Sequence, residues 1–221
     1  INLFPANSIT TLNNHSLKFE HLHKFEDTIL SITENKAKKL FFKLLNLSFK
    51  RKLKLLKKPF CFLLSGGLDS PTIASIGKSL TKKKLRAFSI CYKEKTLNKH
   101  ELDYDETPSI KKIVRKLKIN WTPIYPEVKK FKSIFKEMIK RHDEPISSPT
   151  WFSHYIMLKK IRSKNYYNVF GGDGGDHVLA GLYDDIPYYF ADLVREKKLI
   201  ILNRELRFWE KMHDHNVFKK N

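Results

Sequence analysis

Apolar residues along this chain fall into two kinds of pattern that alternate with each other. Short continuous runs occur at residues 60–64 (FCFLL), 85–92 (LRAFSICY), 121–125 (WTPIY) and 166–170 (YYNVF). Runs of that length suit strands buried on both faces of a sheet. Between them the apolar residues recur at helical spacing. They are Ile73, Ala74 and Ile76 in a segment running to about Leu80, then Ile110, Ile113, Val114 and Leu117 within residues 104–117, then Phe131, Ile134, Phe135, Met138 and Ile139, and then residues 151–161. Upstream, Leu40, Phe41, Leu44, Leu45, Phe49, Leu53 and Leu56 predict a long helix over residues 35–57, and beyond Ile186 the spacing is again helical. Residues 8–12 and 16–19 predict the strands of a small hairpin. Strands alternating with helices predict an α/β fold, a parallel twisted sheet with helices on both faces joined by right-handed crossovers. Residues 1–28 read as a linker or tail of a preceding domain, and residues 29–221 as the main domain.

Two glycine-rich turns follow predicted strands, Ser65-Gly66-Gly67-Leu68-Asp69-Ser70 and Gly171-Gly172-Asp173-Gly174-Gly175-Asp176. In parallel sheets ligands sit outside the carboxyl ends of the strands, which is where both turns fall. The first reads as an anion cradle: glycines let the backbone approach a ligand, Ser70 is a natural N-cap, Pro71 suits a first helical position, and the free N–H groups of the helix start attract phosphate. It is neither a P-loop, lacking Gly-Lys-Ser/Thr, nor a dinucleotide fingerprint. Asp69 at the mouth of such a cradle would repel phosphate unless a divalent cation lay between, which brings in Mg²⁺. The second turn lacks the length and terminal Glu of a calcium loop. If both turns share one edge, Asp69 and one of Asp173 and Asp176 can hold the same cation.

Charge and composition change this picture little. The formal charge is +20, yet the 43 basic residues are 35 Lys and only 8 Arg, spread over most helices. Specific phosphate and base recognition leans on Arg, so the lysines read as a solvated face and nucleic acid is the less favoured partner. Cys61 and Cys91 lie inside apolar runs and read as buried reduced thiols. No apolar run approaches the ~18 residues of a membrane span, and no secretory leader is visible, so the expectation is a cytoplasmic protein. The sequence opens on Ile1, which reads as a piece of a longer protein.

Taken together, SGGLDS, AFSIC at residues 87–91, HDEP at residues 142–145 and GGDGGD resemble, in order, the synthetase domain of the asparagine synthetase family, a group of ATP pyrophosphatases with a PP-loop and an adenine nucleotide alpha hydrolase-like fold. The match covers residues 58–183, and residues 1–25 more loosely resemble the segment that links a glutaminase domain to the synthetase domain. The resemblance implies that Ser65, Gly66, Gly67, Asp69 and Ser70 hold the ATP phosphates and the pyrophosphate. It implies further that Leu64 and Ile90 offer backbone to the adenine, that Gly172 lies on the nucleotide side, and that Asp69 and Asp176 hold magnesium. Asp173 becomes the candidate catalytic residue, positioning or deprotonating the nucleophile. Asp143 and Glu144 match the DEP turn, with a structural or substrate-proximal role. The implied reaction activates a carboxylate, most simply aspartate in asparagine biosynthesis, as acyl-AMP, followed by attack of ammonia or an amine. Implied partners are the small carboxylate, the amine donor and a glutaminase domain or subunit.

Departures keep alternatives open. His177 stands where the family usually has Glu, and Ala180-Gly181-Leu182 replaces Gly-Gly-Tyr. No cysteine nucleophile of a glutaminase and no counterpart of the family's later lysine is recognisable in these residues. A relative acting on a peptide or natural-product carboxylate, an RNA-modifying PP-loop enzyme and a non-catalytic nucleotide-binding homologue remain the alternatives.

Overall fold

The apolar run at residues 60–64 supplies the inner strand about which the sheet is built. The computed structural model describes residues 4–13, 16–22, 31–92, 105–142, 145–146, 148, 150–179 and 181–213. The chain divides into two units, Ile1–Leu45 and Asn46–Asn221. In the first, β1 (Ser8–Asn13) and β2 (Ser16–His21) form the predicted antiparallel hairpin, with Ser8 opposite His21 and Asn13 opposite Ser16. The helix α1 (Glu34–Leu55) begins in this unit and ends in the next.

The second unit carries β3 (Phe60–Leu63), α2 (Asp69–Leu80), β4 (Arg86–Ile90), α3 (Thr107–Leu117), β5 (Asn120–Ile124), α4 (Phe131–Arg141), α5 (Thr150–Ser163), β6 (Asn168–Phe170), the short α6 (Gly175–Leu179), α7 (Ile186–Arg195) and α8 (Leu199–His213). The four strands are parallel in the order β5-β4-β3-β6. Register places Phe62 beside Ala87 on one flank and Phe170 on the other, and Leu63 beside Phe88.

Helices cover both faces, as the continuous apolar runs require. On one face Phe60, Phe62 and Phe170 meet edge-on or tilted, and Phe49 of α1 lies 4.5 Å from Phe170 between ring centroids. Gly77 of α2 makes room there, because a Cβ at that position would run into the Phe62 ring. On the other face Cys61, Phe88 and Ile124 pack with Met157 and Ile161 of α5. Pro123 is accommodated because β5 is an edge strand and its Pro nitrogen alternates away from β4, whereas the neighbouring Ile124 carbonyl accepts from Cys91 N–H at 2.8 Å.

Among the described residues, three helices end in a left-handed residue that is not glycine. Lys118, Asn165 and Lys197 have φ of 50°, 59° and 57°. In each case the following N–H reaches back to a carbonyl five residues earlier: Ile119 to Val114 (3.2 Å), Tyr166 to Ile161 (3.3 Å) and Lys198 to Leu193 (2.8 Å). This is the Schellman closure, which satisfies carbonyls left open at a helix end. It also explains why β6 is shorter than the run YYNVF: Tyr166 N–H closes α5, and pairing of β6 begins at Asn168.

The expected helix start at Ser70 is corrected. The helix α2 begins at Asp69 with Leu68 at its N-cap, and no side chain caps it. The Ser70 hydroxyl is engaged instead by Ser65, and Pro71 sits third in the helix, still within the first turn whose N–H groups have no intrahelical acceptor. Helix α3 begins at Thr107 rather than at residue 104, which, like the loop expected over residues 93–101, lies outside the described residues. Asp143 and Glu144 lie outside them too.

Candidate active site

Strand β3 is followed in sequence by its neighbour β4, whereas its other neighbour, β6, arrives about a hundred residues later. The connections on the two sides of β3 therefore run in opposite directions, and at such a switch point the loops part and leave a crevice beyond the carboxyl ends of the strands. The two glycine-rich turns leave β3 and β6, so they form its walls.

The first turn is held by its own hydroxyls. Leu64 N–H continues the ladder to Phe88 carbonyl at 2.9 Å. Ser65 N–H then donates to Ser70 Oγ at 2.8 Å, and the two hydroxyls lie 2.9 Å apart. Gly67 N–H points to Ser65 Oγ at 3.4 Å. Gly66 is a glycine for a reason other than the one its motif suggested. A Cβ there would lie 2.9 Å from Glu106 Cβ and 3.0 Å from Ser109 Cβ, so its bareness admits the start of α3, not a ligand.

The second turn packs directly on the first. A Cβ on Gly172 would lie 2.6 Å from Ser70 N, and one on Gly175 would lie 2.5 Å from Asp69 Oδ2. Gly174 adopts φ +86°, a conformation that only glycine enters freely. Any side chain at 172 or 175 would push the carboxylates of the two turns apart.

Between the turns lies a cleft of about 570 Å³. Of the residues singled out from the sequence, Leu64, Ser65, Asp69, Ser70, Ile90, Gly172, Asp173 and Asp176 line it, while Gly66 and Gly67 do not. His177 lines it too, together with Ser89, Glu106 and His154, which sequence reasoning passed over. A signal for Glu106 was present: Asp-Glu-Thr-Pro at residues 105–108 is a helix start on the loop after the second strand of the sheet, at the same edge as the glycine turns. Ser89 accepts from Trp121 Nε1 at 3.0 Å, which aims its side chain along the sheet. A smaller cleft of about 280 Å³ adjoins through the shared Ile90, Glu106 and His154. No Lys or Arg lines either cleft among the described residues, although the chain has 43 of them.

The sequence pattern that defines the asparagine synthase family matches residues 41–216. The chain belongs to the asparagine synthase family. Among curated proteins it is 32% identical over 139 residues to a putative glutamine-hydrolysing asparagine synthetase of Methanocaldococcus jannaschii, an alignment that takes in 62% of this chain and 25% of that relative. The chain thus spans about a quarter of the length of the curated relative that it matches. Among solved structures, an NH3-dependent NAD synthetase from Campylobacter jejuni, in complex with a nitrate ion, superposes with a TM-score of 0.41 at 18% identity, over 65% of this chain and 59% of that one.

The donor set of this cleft fits a magnesium-bound nucleotide. The first N–H groups of α2 and the Ser65 and Ser70 hydroxyls suit phosphate oxygens. Four carboxylates, Asp69, Glu106, Asp173 and Asp176, and no Lys or Arg among the described lining residues leave a polyphosphate unneutralised unless it arrives with a metal ion. Among the described residues no group of three His, Cys, Asp or Glu side chains is gathered for a metal. Mg²⁺ asks for less, since one or two carboxylates plus phosphate oxygens and water complete its shell.

Proposed function

We propose that this domain activates a small carboxylate with ATP and passes the acyl group to ammonia or an amine, most simply converting aspartate to asparagine. The observation that carries the reading is the packing of Gly172 and Gly175 against Ser70 and Asp69, which joins Asp69, Asp173 and Asp176 in one cleft at the switch point of the sheet. In this reading Ser65 and Ser70 hold the phosphates, backbone at Leu64 and Ile90 faces the adenine, and Asp69 and Asp176 hold Mg²⁺. The bound ion would stabilise negative charge on the pyrophosphate leaving group. A carboxylate oxygen of the substrate attacks the α-phosphorus, the bond to the β-phosphate oxygen breaks, and pyrophosphate leaves. The amine nitrogen then attacks the acyl carbon, AMP departs, and Asp173 takes the proton that the nitrogen sheds. Holding both reactants on one rigid edge supplies much of the rate.

The test is release of pyrophosphate from Mg-ATP as a function of added carboxylate. Release that depends on aspartate or another small carboxylate, with AMP formed in equal amount once an amine is supplied, is the expected result. Release that depends on RNA would replace the reading with an RNA-modifying one, and tight Mg-ATP binding without release would replace it with a non-catalytic nucleotide-binding role.

A further inference from the structure

Among the described residues, Glu106 is the one carboxylate of the cleft that already holds a loop N–H. Its Oε2 accepts from Gly66 N–H at 3.1 Å, across forty residues of sequence. The backbone that carries it is firmly placed. Asp105 Oδ1 accepts from Thr107 N–H at 3.1 Å and from Thr107 Oγ1 at 2.6 Å, a local turn that braces Glu106, the N-cap of α3, from both sides. Ile110 N–H donates to the Glu106 carbonyl at 2.9 Å. Gly66 in turn is bare because α3 presses on it, with Glu106 Cβ and Ser109 Cβ about 3 Å from where its Cβ would stand. The carboxylate does not cap its own helix and turns instead to the glycine turn.

The arrangement leaves each N–H of Ser65, Gly66 and Gly67 with an acceptor: Ser70 Oγ, Glu106 Oε2 and Ser65 Oγ respectively. The turn therefore has its shape before any ligand binds, and the groups left to meet phosphate are the hydroxyls and the first N–H groups of α2. We infer that Glu106 is a positioning residue of the nucleotide site: its carboxylate fixes Gly66 and so presets the turn that presents Ser65 and Ser70 to the phosphates. This rests on the nucleotide-binding reading above. It asks of Glu106 an acceptor oxygen rather than a negative charge, since a charge beside the polyphosphate repels it.

Three proteins decide it: the full chain, Glu106→Gln, which keeps an acceptor oxygen, and Glu106→Ala, which does not. Titration calorimetry gives the Mg-ATP and Mg-pyrophosphate affinities, hydrogen exchange gives the protection of Gly66 N–H, and melting gives fold integrity. The expected result is an affinity loss of about tenfold in Glu106→Ala with Gly66 protection gone, and affinity within about threefold of the original chain in Glu106→Gln with protection kept, all three melting within a few degrees of one another. A melting loss without an affinity change would reduce the contact to a structural one and overturn the inference. So would equal losses in both variants, which would make the charge decisive, or tighter binding in Glu106→Ala, which would make the carboxylate a competitor for the phosphate position. Failure of the unaltered chain to bind Mg-ATP sinks the nucleotide reading itself, whereas normal binding by that chain and by Glu106→Ala alike sinks only the role of Glu106.

Discussion

Asp69 and Asp176 sit on different turns yet line one cleft, so each is expected to matter to the same bound ion. Asp69→Asn and Asp176→Asn should each weaken Mg-ATP binding or abolish pyrophosphate release, and calorimetry at several Mg²⁺ concentrations checks this; unchanged turnover in both would remove them from the metal. Gly175→Ala should do similar damage by a steric route, since its new methyl would meet the Asp69 carboxylate. A different residue-scale expectation concerns Cys61, which is fully buried and whose thiol burial pushes up to about 12 from an ordinary 9.0. The unfolded chain ionises this thiol first, so its contribution is complete below about pH 9 and is lost as pH rises toward 12, by up to about 4 kcal/mol. Native chain should resist alkylation by iodoacetamide at pH 8, and denaturant titrations at pH 8 and 10.5 should diverge less in Cys61→Ala. At this scale the sequence was informative wherever a residue type has one dominant use: the buried cysteines, and the aspartates beside glycines. For Glu106 it carried the helix start that sets the residue at the cleft edge but not its partner, which is forty residues away, and it misjudged Ser70, whose hydroxyl could serve a helix cap or another serine equally well until the chain was folded.

Elements were legible where hydrophobic burial alone decides them. All four buried runs became strands of one sheet, and the amphipathic segments became α1 to α5, because a stripe or run of that size has no other way to leave water. Element ends were less legible because they depend on local backbone geometry. Nothing in Lys118, Asn165 or Lys197 announces a left-handed helix end, a position that glycine usually fills. That gives a test. Lys118→Gly removes the cost of a side chain at φ 50° and should raise stability by up to about 1 kcal/mol, read as a higher denaturant midpoint. The opposite change is expected in the middle of α2, where Gly77→Ala improves helix propensity but drives a methyl into the Phe62 ring. Phe62 and Phe49 are both buried and have nowhere to retreat, so overpacking should win and lower stability by about 1–3 kcal/mol.

Over the whole molecule, charge is divided by position. The connections that feed the strands carry Lys57, Lys58, Lys82, Lys83, Lys84, Lys118 and Lys164 and no acid, whereas the cleft beyond the strands has Asp69, Glu106, Asp173 and Asp176 and no Lys or Arg among the described residues. Cations at helix ends that point the other way are favoured by the helix dipoles. Any affinity for RNA should therefore be weak, fall steeply between 50 and 200 mM salt, and leave Mg-ATP binding unchanged, which competition titrations will show. The strand order has a further consequence, in time rather than in space. As the chain leaves the ribosome, β3 pairs with β4 early, but its other edge stays open, with Phe60 and Phe62 uncovered on that flank, until β6 emerges about a hundred residues later. Closing so long a loop is slow, and the open edge of an inner strand is a template for pairing with other chains. The join that assembles the cleft is thus the last strand pairing of the sheet to become available, and refolding with β6 deleted should leave that edge open to aggregation.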